Sequence, residues 1–208
     1  MIKIIPIEYG KSVLSEDKIF EGGRSDKFRP IVFKVYLIQS CNRLIMVDAG
    51  CETMPGFVMK DFIGTIKALE RFGIRASQIT DVIITHAHHD HIECVKYFTQ
   101  ATVYIQEEEY EIGNGYLTAC KNVCRFKETV VVCDGVEVIK IGGHTKGSCI
   151  VRIKSYDKDK IIVGDECYLR ESIYKKIPIG TSYCPKKSRD FIETYSNNNF
   201  ELLFCHDI

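Results

Sequence analysis

Four of the six histidines in this chain fall within six residues, in Thr85-His86-Ala87-His88-His89-Asp90-His91. Imidazole nitrogen and carboxylate oxygen are ligands for Zn²⁺ and, with less selectivity, for Fe²⁺, Mn²⁺ or Co²⁺. In an extended segment, side chains two apart point the same way, so His86 and His88 can share one ion. Asp90 and His91, on the turn that follows, can reach a second. The other two histidines stand in short motifs of their own. His144 lies in the glycine-rich Gly142-Gly143-His144-Thr145-Lys146-Gly147-Ser148, and His206 in Cys205-His206-Asp207. A lone histidine is most often a satisfied core or surface residue. Four clustered around an aspartate, with two more in defined motifs, point to a metal centre.

Such a centre needs rigid elements that end where the ligands begin. DVIIT, from Asp81, reads as a short buried strand feeding directly into the histidine cluster. Upstream, IVFKVYLIQS and LIMVDAG are β-rich runs separated by Cys41-Asn42-Arg43, a candidate hairpin turn. Val58, Phe62, Ile66, Leu69 and Phe72 recur at helical spacing, which predicts an amphipathic helix over 58–72, capped by Gly73. After the cluster, ECVKYF predicts a short helix and ATVYIQ a strand. A helix-compatible stretch runs from Glu107 to about Lys127, interrupted by Gly113 and Gly115, and it would place Cys120 and Cys124 on one helix face. The second half returns to strands in TVVVC, VEVIKIGG, SCIVRIK and KIIVGD. A helix around Ser188–Tyr195 and a last strand, ELLFC, complete it. Strands with a helix group in each half predict an α+β sandwich of two stacked sheets, as one domain over 1–208.

The composition narrows the function. Of 208 residues, 45% are apolar and 27% charged, with 28 basic and 28 acidic side chains, so the formal charge is zero. Binding to nucleic acid or to a membrane surface usually needs a basic excess, and none is present. A small-molecule substrate is the expected partner, and the oligomeric state is left open. MIKIIPIEYGKS has only a short apolar run broken by Pro6, unlike a secretory signal, and no stretch is apolar enough to span a bilayer. The cytoplasm is the expected compartment, and the ten cysteines are expected to be thiols rather than a disulfide framework. Cys133, Cys149 and Cys205 read as small core residues.

The motifs together resemble the metallo-β-lactamase superfamily: HxHxDH, a later GHTxGS-type histidine, an aspartate after a strand in Val163-Gly164-Asp165, and a last histidine. The resemblance implies a four-layer αββα sandwich. It implies a first ion on His86, His88 and His144, a second on Asp90, His91 and His206, and Asp165 bridging both. Two zinc ions are implied first, with iron or manganese as alternatives. Asp48, in Met46-Val47-Asp48-Ala49-Gly50, matches an aspartate that supports the metal-binding loop. The chemistry implied is hydrolysis by a hydroxide activated between two metals, with Asp165 or Asp90 carrying the proton.

Within the superfamily the chain is most similar to the N-acyl homoserine lactonases. Asp165-Glu166-Cys167-Tyr168 and the ending Phe204-Cys205-His206-Asp207-Ile208 carry that likeness, and Tyr168 would hydrogen-bond a lactone carbonyl. The expected substrate is an ester, lactone or thioester. A glyoxalase II-like thioesterase shares the ligand motifs, and a non-catalytic metal-binding or redox-sensing protein is the alternative outside the hydrolases. Some positions depart from the family pattern. His89 fills a variable position where an aromatic or apolar residue is common, and is expected to face away from His88. Glu93 and Cys94 replace a frequent glycine pair, with Glu93 expected to disfavour anionic substrates. Lys146 replaces a frequent proline, and the short segment after His206 is expected to leave the second ion more exposed.

Overall fold

The computed structural model describes residues 2–40 and 42–208. Cys41, the first residue of the expected hairpin turn, lies outside them. Backbone contacts divide the chain into two compact units, residues 1–12 with 32–127 and residues 13–31 with 128–208.

A six-stranded mixed sheet carries the first unit, in the order β1 (Lys3–Ser15), β2 (Phe28–Ser40), β3 (Arg43–Val47), β4 (Asp81–Ile84), β5 (Thr102–Gln106) and β6 (Asn122–Phe126). β2 and β3 are antiparallel, whereas β3, β4, β5 and β6 run parallel. Central β4 is buried along its whole length, as a parallel strand covered on both faces must be. β1 was not legible as a strand because Pro6 interrupts it. It lies at the sheet edge, where a missing backbone donor is tolerated, and Pro6 itself is exposed.

A five-stranded sheet carries the second unit, in the order β11 (Phe200–Leu203), β10 (Asp159–Ile162), β9 (Cys149–Ile153), β8 (Val136–Lys140) and β7 (Thr129–Cys133). β10 and β11 are parallel and the other pairs antiparallel. The helices are α1 (Glu16–Ile19), α2 (Thr65–Arg71), α3 (His89–Ile92), α4 (Glu107–Gly113), α5 (Arg170–Lys175) and α6 (Pro185–Tyr195), with short 3₁₀ turns between. Two mixed sheets with their helices give the α+β class that the motifs imply. Among the described residues no helix is long and apolar enough to cross a membrane.

Two expected helices are corrected. The first begins only at Thr65. Residues 57–64 instead lie along β1: Lys60 and Lys11 exchange both backbone hydrogen bonds (2.8 and 2.9 Å), and Ile63 N–H donates to Tyr9 O (3.0 Å). Phe62 reaches the sheet by packing edge-on against Tyr9, as Phe57 just upstream does against Phe33, so the place of Phe62 in the spacing only imitates a helix face. Val58 is left 83% exposed and Phe72 53% exposed, the reverse of what a buried stripe requires. Gly64, at φ 76°, separates this segment from α2, and Gly73, at φ 75°, ends α2 as expected. The second correction concerns 107–127. α4 stops at Gly113, a 3₁₀ turn follows, and Asn122–Phe126 becomes β6, which satisfies the open edge of β5. Cys124 is therefore in a strand and shares no helix face with Cys120. Cys149 and Cys205 are buried as expected, whereas Cys133 is only partly so.

The core of the second unit gathers Ile150, Ile161, Val163, Phe191, Ile192 and Phe204. Phe191, 2% exposed, is the more deeply buried of its two phenylalanines. Phe191→Ala is expected to destabilise the protein by about 3–5 kcal/mol, the usual loss for truncating a buried phenylalanine. A urea titration followed by circular dichroism measures it.

Candidate metal centre

In the first unit the parallel register sets the C-terminal ends of β3 and β4 side by side, with Val47 opposite Ile83. Asp48 is the first residue beyond β3 and Thr85 the first beyond β4. Asp48 adopts φ 62°, a left-handed conformation that aspartate tolerates better than most residues, and is fully buried. Its Oδ1 accepts from the Thr85 backbone N–H (2.8 Å) and hydroxyl (2.9 Å). Its Oδ2 accepts from His91 Nδ1 (2.8 Å). A carboxylate only accepts, so in neutral His91 the proton sits on Nδ1 and the lone pair on Nε2. The Thr85 hydroxyl donates to Asp48 and so accepts from His86 Nδ1 (3.2 Å), which leaves the His86 lone pair on Nε2 as well.

His88 is extended (φ −68°, ψ 151°) and α3 starts immediately after it, so Asp90 and His91 sit on the helical turn. His86 Nε2 and His88 Nδ1 stand 3.0 Å apart. Two nitrogens on one tetrahedral zinc, each roughly 2.0–2.1 Å from it, would be about 3.3 Å apart. This pair therefore has the spacing of two ligands of one ion. The His86 and His91 rings are 4.0 Å apart, and the Asp90 carboxylate lies 3.6 Å from His91 Nε2. The backbone is pinned from outside: Tyr9 donates its hydroxyl to Asp90 O (2.8 Å), Ala49 N–H donates to His91 O (2.7 Å), and Ala87 N–H donates to the buried Glu109 (2.8 Å). His89 faces elsewhere, as expected. Its Nε2 donates to Thr53 O (2.9 Å) and its Nδ1 accepts from Tyr116 (3.2 Å).

Glu93 is corrected. Its carboxylate is buried, accepts from Glu52 N–H (2.9 Å) and pairs with Lys96, so its charge is committed to holding the 51–52 segment. The Lys96 ammonium and the Glu52 amide keep its acid below the usual carboxylate range despite its burial.

In the second unit three ligand candidates come off one end of the five-stranded sheet. Parallel β10 and β11 pair Ile162 with Leu203, and Asp165 and His206 are each three residues further on. The β8–β9 turn that carries His144 lies at the same end, because β9 pairs antiparallel with β10. His144 Nδ1 donates to Thr181 O (3.0 Å), so its lone pair is on Nε2, 3.6 Å from Asp165 Oδ2. His206 Nε2 lies 3.0 Å from Asp165 Oδ1. One carboxylate thus offers a different oxygen to each histidine, the posture of a bridging ligand. All three side chains are at most 5% exposed, His206 included.

Tyr168 packs on both histidines, with ring centroids 5.9 Å from His144 and 5.4 Å from His206. Its hydroxyl pairs with Thr181 Oγ1 (3.1 Å). Arg170 pairs with Asp207 and steadies the segment after His206. The spacing of residues gave no sign of the supports at Tyr9, Glu109, Glu166 and Thr181, whose partners are 18 to 81 residues away.

The donor set suits divalent zinc, iron or manganese: imidazoles, three of them (His86, His91 and His144) with the Nε2 lone pair assigned by a hydrogen bond at Nδ1, and the carboxylates of Asp90 and Asp165 beside them.

The family model of the metallo-β-lactamase superfamily matches residues 34–188. A probable metallo-hydrolase of Methanocaldococcus jannaschii is 32% identical over 134 residues, 64% of this chain and 56% of its own length. N-acyl homoserine lactonase AiiB of Agrobacterium fabrum is 27% identical across 69% of this chain and 66% of its own. The chain thus spans less than two thirds of either relative. Among solved structures, an N-acyl homoserine lactone hydrolase with N-hexanoyl-L-homoserine at its catalytic metal centre aligns with 99% of this chain and 93% of its own, at TM-score 0.83 and 20% identity. The dizinc quorum-quenching lactonase AidC aligns with 99% of this chain and 87% of its own, at TM-score 0.80 and 16% identity. These likenesses show the fold. With the motifs around His86, His144 and Asp165 lying inside the matched segment, which stops short of His206, the chain belongs to the metallo-β-lactamase superfamily.

Proposed function

We propose that the protein is a two-metal hydrolase that opens a lactone such as an N-acyl homoserine lactone. His86, His88, His144 and Asp165 would hold one ion, and Asp90, His91 and His206 the other, with Asp165 shared. The observation that carries this reading is the pairing of Asp165 with two histidines through separate oxygens, beside a family whose solved members include a dizinc lactonase. When bound, two such ions supply a nucleophile at neutral pH and a Lewis acid for the substrate carbonyl.

The residues of the chain supply the remainder. Lactone opening adds water across the acyl carbon–oxygen bond, and the ring oxygen must leave with a proton. Asp90, whose side chain is 13% exposed, is the more accessible carboxylate to deliver it, and Asp165 the more enclosed. Tyr168 would turn its hydroxyl from Thr181 to the substrate carbonyl, while its ring keeps His144 and His206 in place. Burial pushes the Cys51 and Cys167 thiols up to about 12 and raises those of Cys94 and Cys120. Thiols held protonated are poor redox sensors, which weighs against these four in the sensor reading.

The test is a metal-loaded protein given N-acyl homoserine lactones, simple lactones, thioesters and bis-p-nitrophenyl phosphate. Two equivalents of metal and chelator-sensitive turnover of lactones are expected. Turnover of thioesters alone would replace the lactone reading with a thioesterase. Two bound ions without turnover of any substrate would remove the enzymatic one.

A further inference from the structure

Glu166 is fully buried, directly follows Asp165, and takes no part in the chemistry above. Its Oε1 accepts from the backbone N–H of Gly143 (3.1 Å) and of His144 (3.4 Å), and from the Ser148 hydroxyl. The three donors all belong to the turn that carries His144. Ser148 in turn accepts from Thr145 N–H (3.1 Å), so one oxygen gathers both arms of the turn. Oε2 is buried with no hydrogen-bond partner. It stands 2.2 Å from where a Cβ on residue 143 would be, so only glycine there lets the carboxylate approach. The opposite side of the turn is held by residues 181–184: His144 Nδ1 donates to Thr181 O, the Ser182 hydroxyl donates to Gly143 O (3.1 Å), and Cys184 N–H donates to the same carbonyl (3.0 Å).

A buried acid with one idle oxygen is unfavourable, and a core needing only volume would use an apolar side chain. We propose that Glu166 is a positioning residue that sets the His144–Asp165 separation for metal binding, an inference that rests on the two-metal reading. Its backbone is continuous with Asp165 and its carboxylate grips His144, so one residue ties two ligands from different strands together. His91 and Asp90 depend on Asp48 and Tyr9 instead. Losing Glu166 should therefore weaken the ion that His144 holds more than the other, which shares only Asp165 with it.

The experiment is a zinc titration against a chromophoric chelator for wild type, Glu166→Gln, Glu166→Ala and Ser148→Ala. The Co²⁺-substituted absorption spectrum serves as a second readout. Wild type should take two ions. Glu166→Gln, which keeps the accepting oxygen, should resemble it. Glu166→Ala should lose about 10–100-fold in affinity for one ion, the range for removing a group that orients a ligand, with the other affected less. Ser148→Ala, which withdraws one of three donors, should move the same way by less, and it carries the test if Glu166→Ala does not fold. Wild type that binds no metal would end the two-metal reading itself. Two ions in wild type and unchanged affinities in both Glu166→Ala and Ser148→Ala would overturn the positioning role alone, as would equal weakening of both ions.

Discussion

Asp165→Asn is expected to fold, to retain at most one tightly bound ion, and to lose more than about 100-fold in hydrolytic rate. The substitution is nearly isosteric, so the packing of a side chain only 4% exposed is preserved. What changes is the hand that each histidine meets. Asp165 now turns Oδ1 to His206 Nε2 and Oδ2 to His144 Nε2. An amide offers one oxygen and one donor. His144 has its Nδ1 proton fixed on Thr181 O, so its Nε2 can only accept. The amide N–H₂ would satisfy it with a hydrogen bond and occupy the lone pair intended for metal. Disturbing a group that merely orients a ligand already costs about 10–100-fold, so removing a shared ligand should exceed that. Zinc content per chain and the rate on a lactone measure both parts. Two ions and a wild-type rate in Asp165→Asn would remove the bridging role.

The candidate metal-site motifs were legible because their residues are close in sequence or sit at the ends of strong strands. His86 to His91 follow β4 directly, and the apolar run DVII could only be a buried strand. The supports were not legible. Glu166 and Glu109 look like ordinary surface acids, and only the fold places them against backbone donors at positions 143 and 87. Asp48 was legible through its glycine-flanked turn, and it bonds the metal-binding loop as expected. The helix expected over 58–72 failed for a specific reason. Phe62 does face the protein, but it packs on the aromatic ring of Tyr9 from a segment whose backbone pairs with β1. Periodicity registers which side chains are inward, not which backbone partner holds them. The strand at 122–126 was missed for the complementary reason. Its evidence lies in the unpaired edge of β5, which a local window does not contain.

Asp48→Asn separates orientation of a ligand from stability of the fold. Asparagine also tolerates the left-handed backbone at 48, so strain is avoided. Its amide has two possible placements. Turning N–H₂ toward Thr85 would oppose a backbone N–H that cannot be reversed. The oxygen must therefore stay on Thr85 and the N–H₂ must face His91. His91 Nδ1 then has to accept, and its proton moves to Nε2, the nitrogen aimed at metal. The expected result is about a 10–100-fold weaker affinity for the ion of Asp90, His91 and His206, with the other ion retained and thermal stability of the apo-protein little changed. Imidazole ¹⁵N shifts in the metal-free protein should report the exchanged tautomer. Asp48→Ala should behave differently. It orphans two buried N–H donors and a hydroxyl, each worth about 1–3 kcal/mol when left unmet, and adds about 1–2 kcal/mol for alanine in a left-handed conformation. It should lose several kcal/mol of stability as well as the ion. If Asp48→Asn keeps both ions at wild-type affinity with the Nδ1–H tautomer in place, Asp48 holds the loop but does not orient His91.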